Sequence, residues 1–398
     1  MGDSLSFDVC IVGAGPVGGS LACRLAAGGM KVAVVDAAAL PPMEHPDFDG
    51  RAYAIAAGSR PLLQVAGVWD ALPLPVGPIE QIRVTDGKAG RPASRLHLHF
   101  SAEEVGDAPM GFMVEARSLR IALNTRLDTD PNITVFAPAR ARVVREADWA
   151  RVTLDTGEEF SARLVVAAEG RNSPLRREAG IVASSWPYHQ SGIVCAIAHE
   201  LPHHNIALEH FLPAGPFAQL PMAGSEAHPH LSAIVWSERS AVAGRYMALP
   251  DEAFGEQIAQ RLGDFLGEVR PVGRRWIYPL SAMYVHRLVA PRLALAGDAA
   301  HGIHPIAGQG LNLGLRDAMK LAELLLEGGD PGDAGMLARY QRARRADIVS
   351  MLVATDGLDR LFSTNFPPIR LMRDVGMAAV HHFPPLKRML MKQAMGQR

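Results

Sequence analysis

Cysteine is scarce in this chain, with three in 398 residues. Cys10, Cys23 and Cys195 lie inside apolar runs at no metal-like spacing, which argues against a disulfide framework and reads as small core residues in a reducing compartment. Aromatic residues are few, at 6%. Neither sign of charge is in surplus: 40 basic against 41 acidic side chains leave a formal charge of -1, so no electrostatic case for nucleic acid exists. Long apolar runs are missing too; no window approaches the roughly 18 uncharged residues that a membrane span needs. The opening "MGDSLSFDVCIVGAG" lacks the basic-then-apolar plan of a secretion signal. The expectation is a cytoplasmic protein, at most resting peripherally on a surface such as the inner membrane. What remains is 48% hydrophobic residues, enough for a large core in two or three units.

The apolar order along the chain is informative. "FDVCIV" reads as a buried parallel strand, "GAGPVG" follows, a helical pattern runs to about residue 28, and "KVAVVD" closes a βαβ unit. Residues 111–127 have Leu119, Leu123 and Leu127 in helical step and predict a helix. Short alternating strands fill 132–168. From about 181 to 280 strand-like pieces alternate with Pro/Gly/His-rich turns, the texture of an inserted, largely antiparallel unit. "RLALAGD" returns to a buried strand, and Leu311, Leu315, Ala318, Ala322 and Leu325 mark the apolar face of the next helix. Helical stretches around 336–363 and 367–398 end the chain. The predicted fold class is α/β: a Rossmann-like dinucleotide-binding domain over 1–75, 101–180 and 281–345, an inserted mainly antiparallel substrate domain over 76–100 and 181–280, and C-terminal helices over 346–398.

Three motifs carry chemistry. Gly13-x-Gly15-x-x-Gly18 joins strand to helix, and Asp36 ends the second strand 18 residues later. Such glycines allow a tight turn and let a pyrophosphate rest on the helix N-terminus, while the carboxylate can meet a ribose. This motif does not separate FAD from NAD. The second motif, "GDAAHGIHPIAGQGLNLGLRDA" at 297–318, makes that separation: Asp298 can meet a ribityl chain, Pro305 can lie against a ring, and Gly308 and Gly310 let backbone approach it. A helix N-terminus there favours negative charge on a ligand. A glycine-rich loop with a capping aspartate is the plainer alternative. The third, "AAEGRNSPLRR" at 167–177, offers Glu169-Gly170 to a cofactor or nicotinamide donor, and Arg171 or Arg176 to a phosphate. It equally describes an ordinary strand-to-helix turn. Arg51 and Arg117 are single arginines that could meet phosphate or ring.

The histidines divide. His301 and His304 lack a third ligand at metal spacing, so no metal is expected; His301 either faces the ligand ring or packs. His203, His204, His381 and His382 read as surface residues. The arginines of "RYQRARRAD" (339–347) read as a solvated helix face. The tail from Phe366 carries Arg370, Arg373, Lys387, Arg388, Lys392 and Arg398 against Asp374, with five methionines; it fits an amphipathic helix that docks on an anionic membrane or partner, or simply a packed terminal helix.

These motifs, in this order, resemble the FAD-dependent aromatic monooxygenases of the p-hydroxybenzoate hydroxylase fold. "HPIAGQGLNLG", "EARSLRIAL", "EHFLPAGPFAQLPM" and the tail "LFSTNFPPIRLMRDVGMAAVHHFPPLKRMLMKQAMG" are similar to the ubiquinone-biosynthesis hydroxylases, over nearly the whole chain. The resemblance implies flavin-site roles for Gly13, Gly15, Gly18, Asp36, Arg51, Arg117, Asp298, Gly310 and Asn312, with Pro305, Gly308 and Leu311 completing the loop. It implies FAD as cofactor, O2 as oxidant, electrons from NAD(P)H or a protein donor, a flavin C4a-hydroperoxide, and a polyprenyl phenol as substrate. Other quinone-biosynthesis proteins are implied partners. The family's second motif usually reads Asp-Gly where this chain has Glu169-Gly170, which puts electron-donor handling in question. No residue stands out as the base: His301 and Pro305 are the weak catalytic candidates, and Tyr188, His189 and His210 are further guesses. Two rivals share the cradle, a same-fold enzyme for a small soluble phenol and a non-catalytic flavoprotein subunit of a quinone-synthesis complex.

Overall fold

The computed structural model describes residues 5–40, 49–87, 89–90, 97–106, 108–362 and 383–396. Its architecture is α/β, built on two eight-stranded sheets and one three-stranded sheet. The first sheet holds a parallel core in the spatial order Leu293–Leu295, Glu159–Ala167, Ser6–Val12, Val32–Val35, Ile133–Phe136. Its central strands are buried almost throughout, so they read as continuous apolar runs rather than alternations. An antiparallel arm, Ala141–Arg145 and Ala150–Leu154, extends from Glu159–Ala167.

Two helices pack side by side where the glycine motifs begin. Pro16–Ala26 opens with proline in its first turn, a position where the missing N–H costs nothing. Gln309–Leu326 buries Leu315, Ala318, Ala322 and Leu325, four of the five residues on the anticipated apolar face, while Leu311 packs at its edge. Gly314 makes the close approach possible: a methyl there would stand 2.6 Å from a Val17 methyl and 3.1 Å from Gly297 Cα.

The second sheet runs His301–Gly302, Val269–Val285, Ala183–His199, Leu231–Arg239, Gly215–Met222, Ile206–Leu212, Gln81–Asp86, Leu98–Ser101. All its pairings are antiparallel except Ile206–Leu212 with Gln81–Asp86. Two helices within this region, Ser240–Met247 and Asp251–Leu262, were not anticipated. The sheet also runs past the boundary expected at residue 280, because Val269–Val285 continues to pair and His301–Gly302 adds a last strand to it. The glycine-rich loop at 297–310 is thereby tied to both large sheets.

One local expectation fails. Residues Gly111–Glu115 are a strand, pairing with Ala52–Ala56 and Gly77–Ile79, and the helix begins only at Ala116. The apolar "GFMV" suits a buried strand, and the two strands on either side satisfy its backbone; the helical periodicity belongs to 119–127 alone. The last helix, Pro384–Ala394, docks through Met391 and Met395 against Ala102 and Met110. The rest of the predicted 367–398 helix, with Arg370, Arg373, His381, His382 and Arg398, lies outside the described residues.

Candidate active site

At the first glycine motif the three glycines do different work. Gly13 adopts φ +109, and a methyl on it would lie 2.4 Å from Ala168 O. A methyl on Gly18 would lie 2.0 Å from Gly13 O. Gly15 instead faces open space, with nothing within 4 Å of where its Cβ would be, and no side chain caps the helix that starts beside it. Free N–H groups therefore point out over an open backbone surface. Asp36 binds the loop from the neighbouring strand: Ala14 N–H donates to its Oδ2 at 2.7 Å and Ala38 N–H to its Oδ1 at 2.9 Å. Arg120, which the sequence did not single out, donates to Ala14 O at 3.2 Å and so lies over the same loop.

Arg51 and Arg117 enter together, because Ala116 N–H donates to Arg51 O at 3.0 Å. Arg117 pairs with Glu115 at 2.6 Å, and Arg51 pairs with Asp49 while lying over the Trp276 ring at 4.5 Å.

The second motif is held from below by buried charge. His301 and Asp317 are almost wholly buried, and His301 Nε2 lies 2.6 Å from Asp317 Oδ2. That oxygen also accepts from Gly297 N–H at 3.0 Å, and Arg344 donates to the other at 2.7 Å. Arg344 and Arg316 both pair with Asp347, at 2.6 and 3.0 Å. Burial pushes the Asp317 carboxyl up, but His301 and Arg344 outweigh it and hold it below the usual carboxylate range. The ladder fixes Gly297 and leaves Asp298 exposed at the strand end. It corrects the reading of 339–347 as a solvated face: Arg344 is buried because it answers Asp317, whereas Arg339 is exposed and pairs with Glu327.

Asn312 closes the loop onto the three-stranded sheet. Its Oδ1 accepts from Ala56 N–H at 2.8 Å, and its Nδ2 donates to Ala54 O at 2.7 Å and Gly308 O at 3.0 Å. Gly308 is left-handed at φ +63, Gly310 has nothing within 4 Å of its Cβ position, and Pro305 and Leu311 are half-buried beside them.

Residues of the third motif are committed to the scaffold. Glu169 Oε1 accepts from Ser173 Oγ at 2.6 Å and Leu175 N–H at 2.8 Å, and burial raises its carboxyl above the usual range. Arg176 donates to Ala299 O and Arg171 O, and Arg171 to Ser281 O, so both stitch loops to the sheets through backbone carbonyls. The phosphate role suggested for them is thus answered by carbonyls already in place. His203, expected at the surface, is half-buried with Nε2 3.0 Å from Met222 O, while His204 is exposed. His210 is buried against Thr85, and burial lowers its ring to about 4. His189 is exposed. The three cysteines are buried and free. Among the described residues no group of three or more His, Cys, Asp or Glu is placed to hold a metal.

Residues 6–355 match the model of a family described as FAD binding domain. The chain belongs to that family. Within it, the chain is 47% identical over 394 residues to the ubiquinone hydroxylase UbiL of Rhodospirillum rubrum, covering 98% of this chain and 89% of that protein. It is 34% identical to the 3-demethoxyubiquinol 3-hydroxylase of Escherichia coli, covering 98% of each. The p-nitrophenol 4-monooxygenase PnpA of Pseudomonas putida shares the fold at TM-score 0.78 and 17% identity, over 99% of both chains.

The residues present fit the cofactor of this FAD-binding family. Gly15 and Gly310 leave backbone surfaces that a Cβ would fill, each at the start of a helix without a side-chain cap. Two uncapped helix ends and an exposed Asp298 suit a ligand with phosphates, hydroxyls and a flat ring.

Proposed function

We propose that this chain is a FAD-dependent aromatic ring hydroxylase that uses O2 and acts on a polyprenyl phenol of ubiquinone biosynthesis. The observation that carries the reading is the 47% identity along 98% of the chain to a ubiquinone hydroxylase. Gly13, Gly15, Gly18 and Asp36 receive the adenosine and pyrophosphate half, with Arg51 and Arg117 beside it. Asp298, Pro305, Gly308, Gly310, Leu311 and Asn312 receive the ribityl chain and ring. His301 acts as an anchor of the loop through Asp317. FAD held there would supply the activation of O2, the source of the inserted oxygen atom, with electrons from NAD(P)H or a protein donor. The chain's own residues hold the ring carbon in line, keep water out and favour negative charge at the helix end of Gln309–Leu326. Residues 181–280, with the strands Gln81–Asp86 and Leu98–Ser101, provide the wall against which the phenol lies.

A polyprenyl tail favours the bilayer by about 0.8 kcal/mol per CH2. No helix among the described residues is long and apolar enough to cross a membrane. Substrate is therefore met at a membrane surface or handed over by a lipid-binding partner. On Pro384–Ala394 and its two cap residues, Met391 and Met395 are buried, while Phe383, Met389 and Leu390 are exposed beside Arg388 and Lys392. Deleting 366–398 would also remove buried packing, so the cleaner variant replaces Arg388, Met389 and Lys392 with serine. Recovery with membranes or partners should fall while FAD stays bound.

The test is mass spectrometry of quinone intermediates in a strain lacking the gene. A prenylated intermediate missing one ring hydroxyl is expected. Normal quinone with accumulation of a small aromatic would overturn the substrate, and a purified protein that takes up no FAD would overturn the whole reading.

A further inference from the structure

The strand Ala183–His199 loses register against Val269–Val285 between Pro187 and Ser191. At this irregularity Gln190 is buried, with its Nε2 donating to Ala214 O at 3.1 Å and to Asp359 Oδ1 at 3.2 Å. A carbonyl can only accept, so the amide's orientation is set and Gln190 Oε1 is the accepting end. It lies 2.9 Å from His304 Nε2. Neutral His304 must then carry its proton on Nε2 and present a bare lone pair at Nδ1. His304 is 0% exposed, and Nδ1 has no partner among the described residues. A fully buried acceptor without a donor is unfavourable and calls for a ligand that brings one. His304 directly precedes Pro305, the residue assigned to the ring. His301, by contrast, spends its Nε2 on Asp317.

We infer that His304 is the acid–base residue of the ring site, with Nδ1 accepting the proton of the substrate's phenolic hydroxyl. This rests on the hydroxylase reading above. The phenol O–H bond breaks, an Nδ1–H bond forms, and the electron pair stays on the phenolate oxygen, enriching the ring for attack by an electrophilic oxygen. The proton returns to the product's oxygen before release. The imidazolium formed in between has Asp359 Oδ1 3.6 Å from Nε2. Asp356, on the same helix Ala334–Phe362, is the second carboxylate near it and is itself paired with Arg360 at 2.9 Å. Tyr188, from the irregular strand, packs edge-on at 4.9 Å. Burial lowers His304 and the two aspartates raise it, leaving it below the ordinary histidine value and so a neutral base near pH 7.

The test uses FAD-loaded protein, 4-nitrophenol as a probe whose colour reports its ionisation, and a short-tailed prenylphenol for turnover. Wild type should bind the probe as phenolate under conditions where the free probe is mostly protonated. His304→Asn should bind it as phenol, and turnover should fall on the order of 100- to 10,000-fold with the acid limb of the pH profile lost. Asp359→Asn removes a charge that raises His304, so its acid limb should move to lower pH. A wild type that binds the probe as phenol overturns the inference, as do variants with unchanged probe colour and pH profile. Should His304→Asn lose FAD, the wild-type colour and the Asp359→Asn profile still decide. A wild type that hydroxylates no phenol fails the hydroxylase reading, while the probe colour tests His304 independently.

Discussion

At the first glycine loop, methyls on Gly13 and Gly18 would strike Ala168 O and Gly13 O at 2.4 and 2.0 Å, so glycine there lets backbone meet backbone. At the second, a methyl on Gly310 meets nothing within 4 Å, and the polar residues around it reach further elements: Asn312 to Ala54 and Ala56, and His301 to Asp317, which Arg344 in turn holds. The first loop is thus shaped by close backbone packing, its glycines set against Gly13 O within the loop and Ala168 O just past the end of the adjacent strand, with Asp36 holding Ala14. The second is a platform held in place from three directions. The first loop is tight because backbone packs on backbone; the second borrows its rigidity from side chains that reach in from elsewhere.

The largest effect that would break this contrast is expected at Gly18. Gly18→Ala forces backbone apart and should cost about 4 kcal/mol or more, read as loss of folded, FAD-containing protein in thermal melts. Gly15→Ala should instead leave the apoprotein as stable as before or about 0.4–1 kcal/mol more so, while weakening FAD binding at least about tenfold in a titration, the factor that about 1.4 kcal/mol represents. Equal damage to apoprotein stability from both would refute the division of labour.

Next is Asp317→Asn, which leaves buried His301 and Arg344 without their carboxylate and should cost about 3–5 kcal/mol in urea unfolding. The pH dependence has a defined sign. Asp317 is held below its ordinary value when folded, so its stabilisation is present above the unfolded carboxylate's range and is lost as pH falls through the lower folded value. Acid unfolding of wild type should therefore steepen below about pH 4, the ordinary aspartate value, and Asp317→Asn should flatten it.

Asn312→Ala removes three hydrogen bonds and should cost about 1–3 kcal/mol, with looser FAD but an intact first loop. The smallest effect belongs to Arg339→Ala, whose pair with Glu327 is half-exposed and should change stability by less than about 1 kcal/mol. Were Arg344→Ala equally mild, the buried ladder would not be what fixes the second loop.

Much of this site was legible in the amino-acid order. The strand, glycine turn, helix and Asp36 could be read because their order and spacing lie within one βαβ unit, even though Gly13 packs on Ala168 from outside it. The start of helix Ala116–Thr129 was misjudged because Gly111–Glu115 owes its extended form to strands 52–56 and 77–79, which no local pattern reveals. Arg120 was missed since its target is a carbonyl more than a hundred residues earlier. His304 read only as half of an unlikely metal pair; its importance comes from Gln190 and Asp359, which arrive from a strand irregularity and a later helix.

The sequence alone determined the α/β class, the family and the two glycine-rich loops at strand-to-helix junctions, since apolar periodicity and glycine spacing act over a few residues and survive without knowledge of contacts. Only the tertiary structure decided which polar groups are anchors and which remain available: why Arg344 is buried, why His301 is tied down and why His304 Nδ1 finds no partner among the described residues. Burial and hydrogen-bond partnership are properties of the assembled chain, and they, not residue type, set what an imidazole or a carboxylate can do.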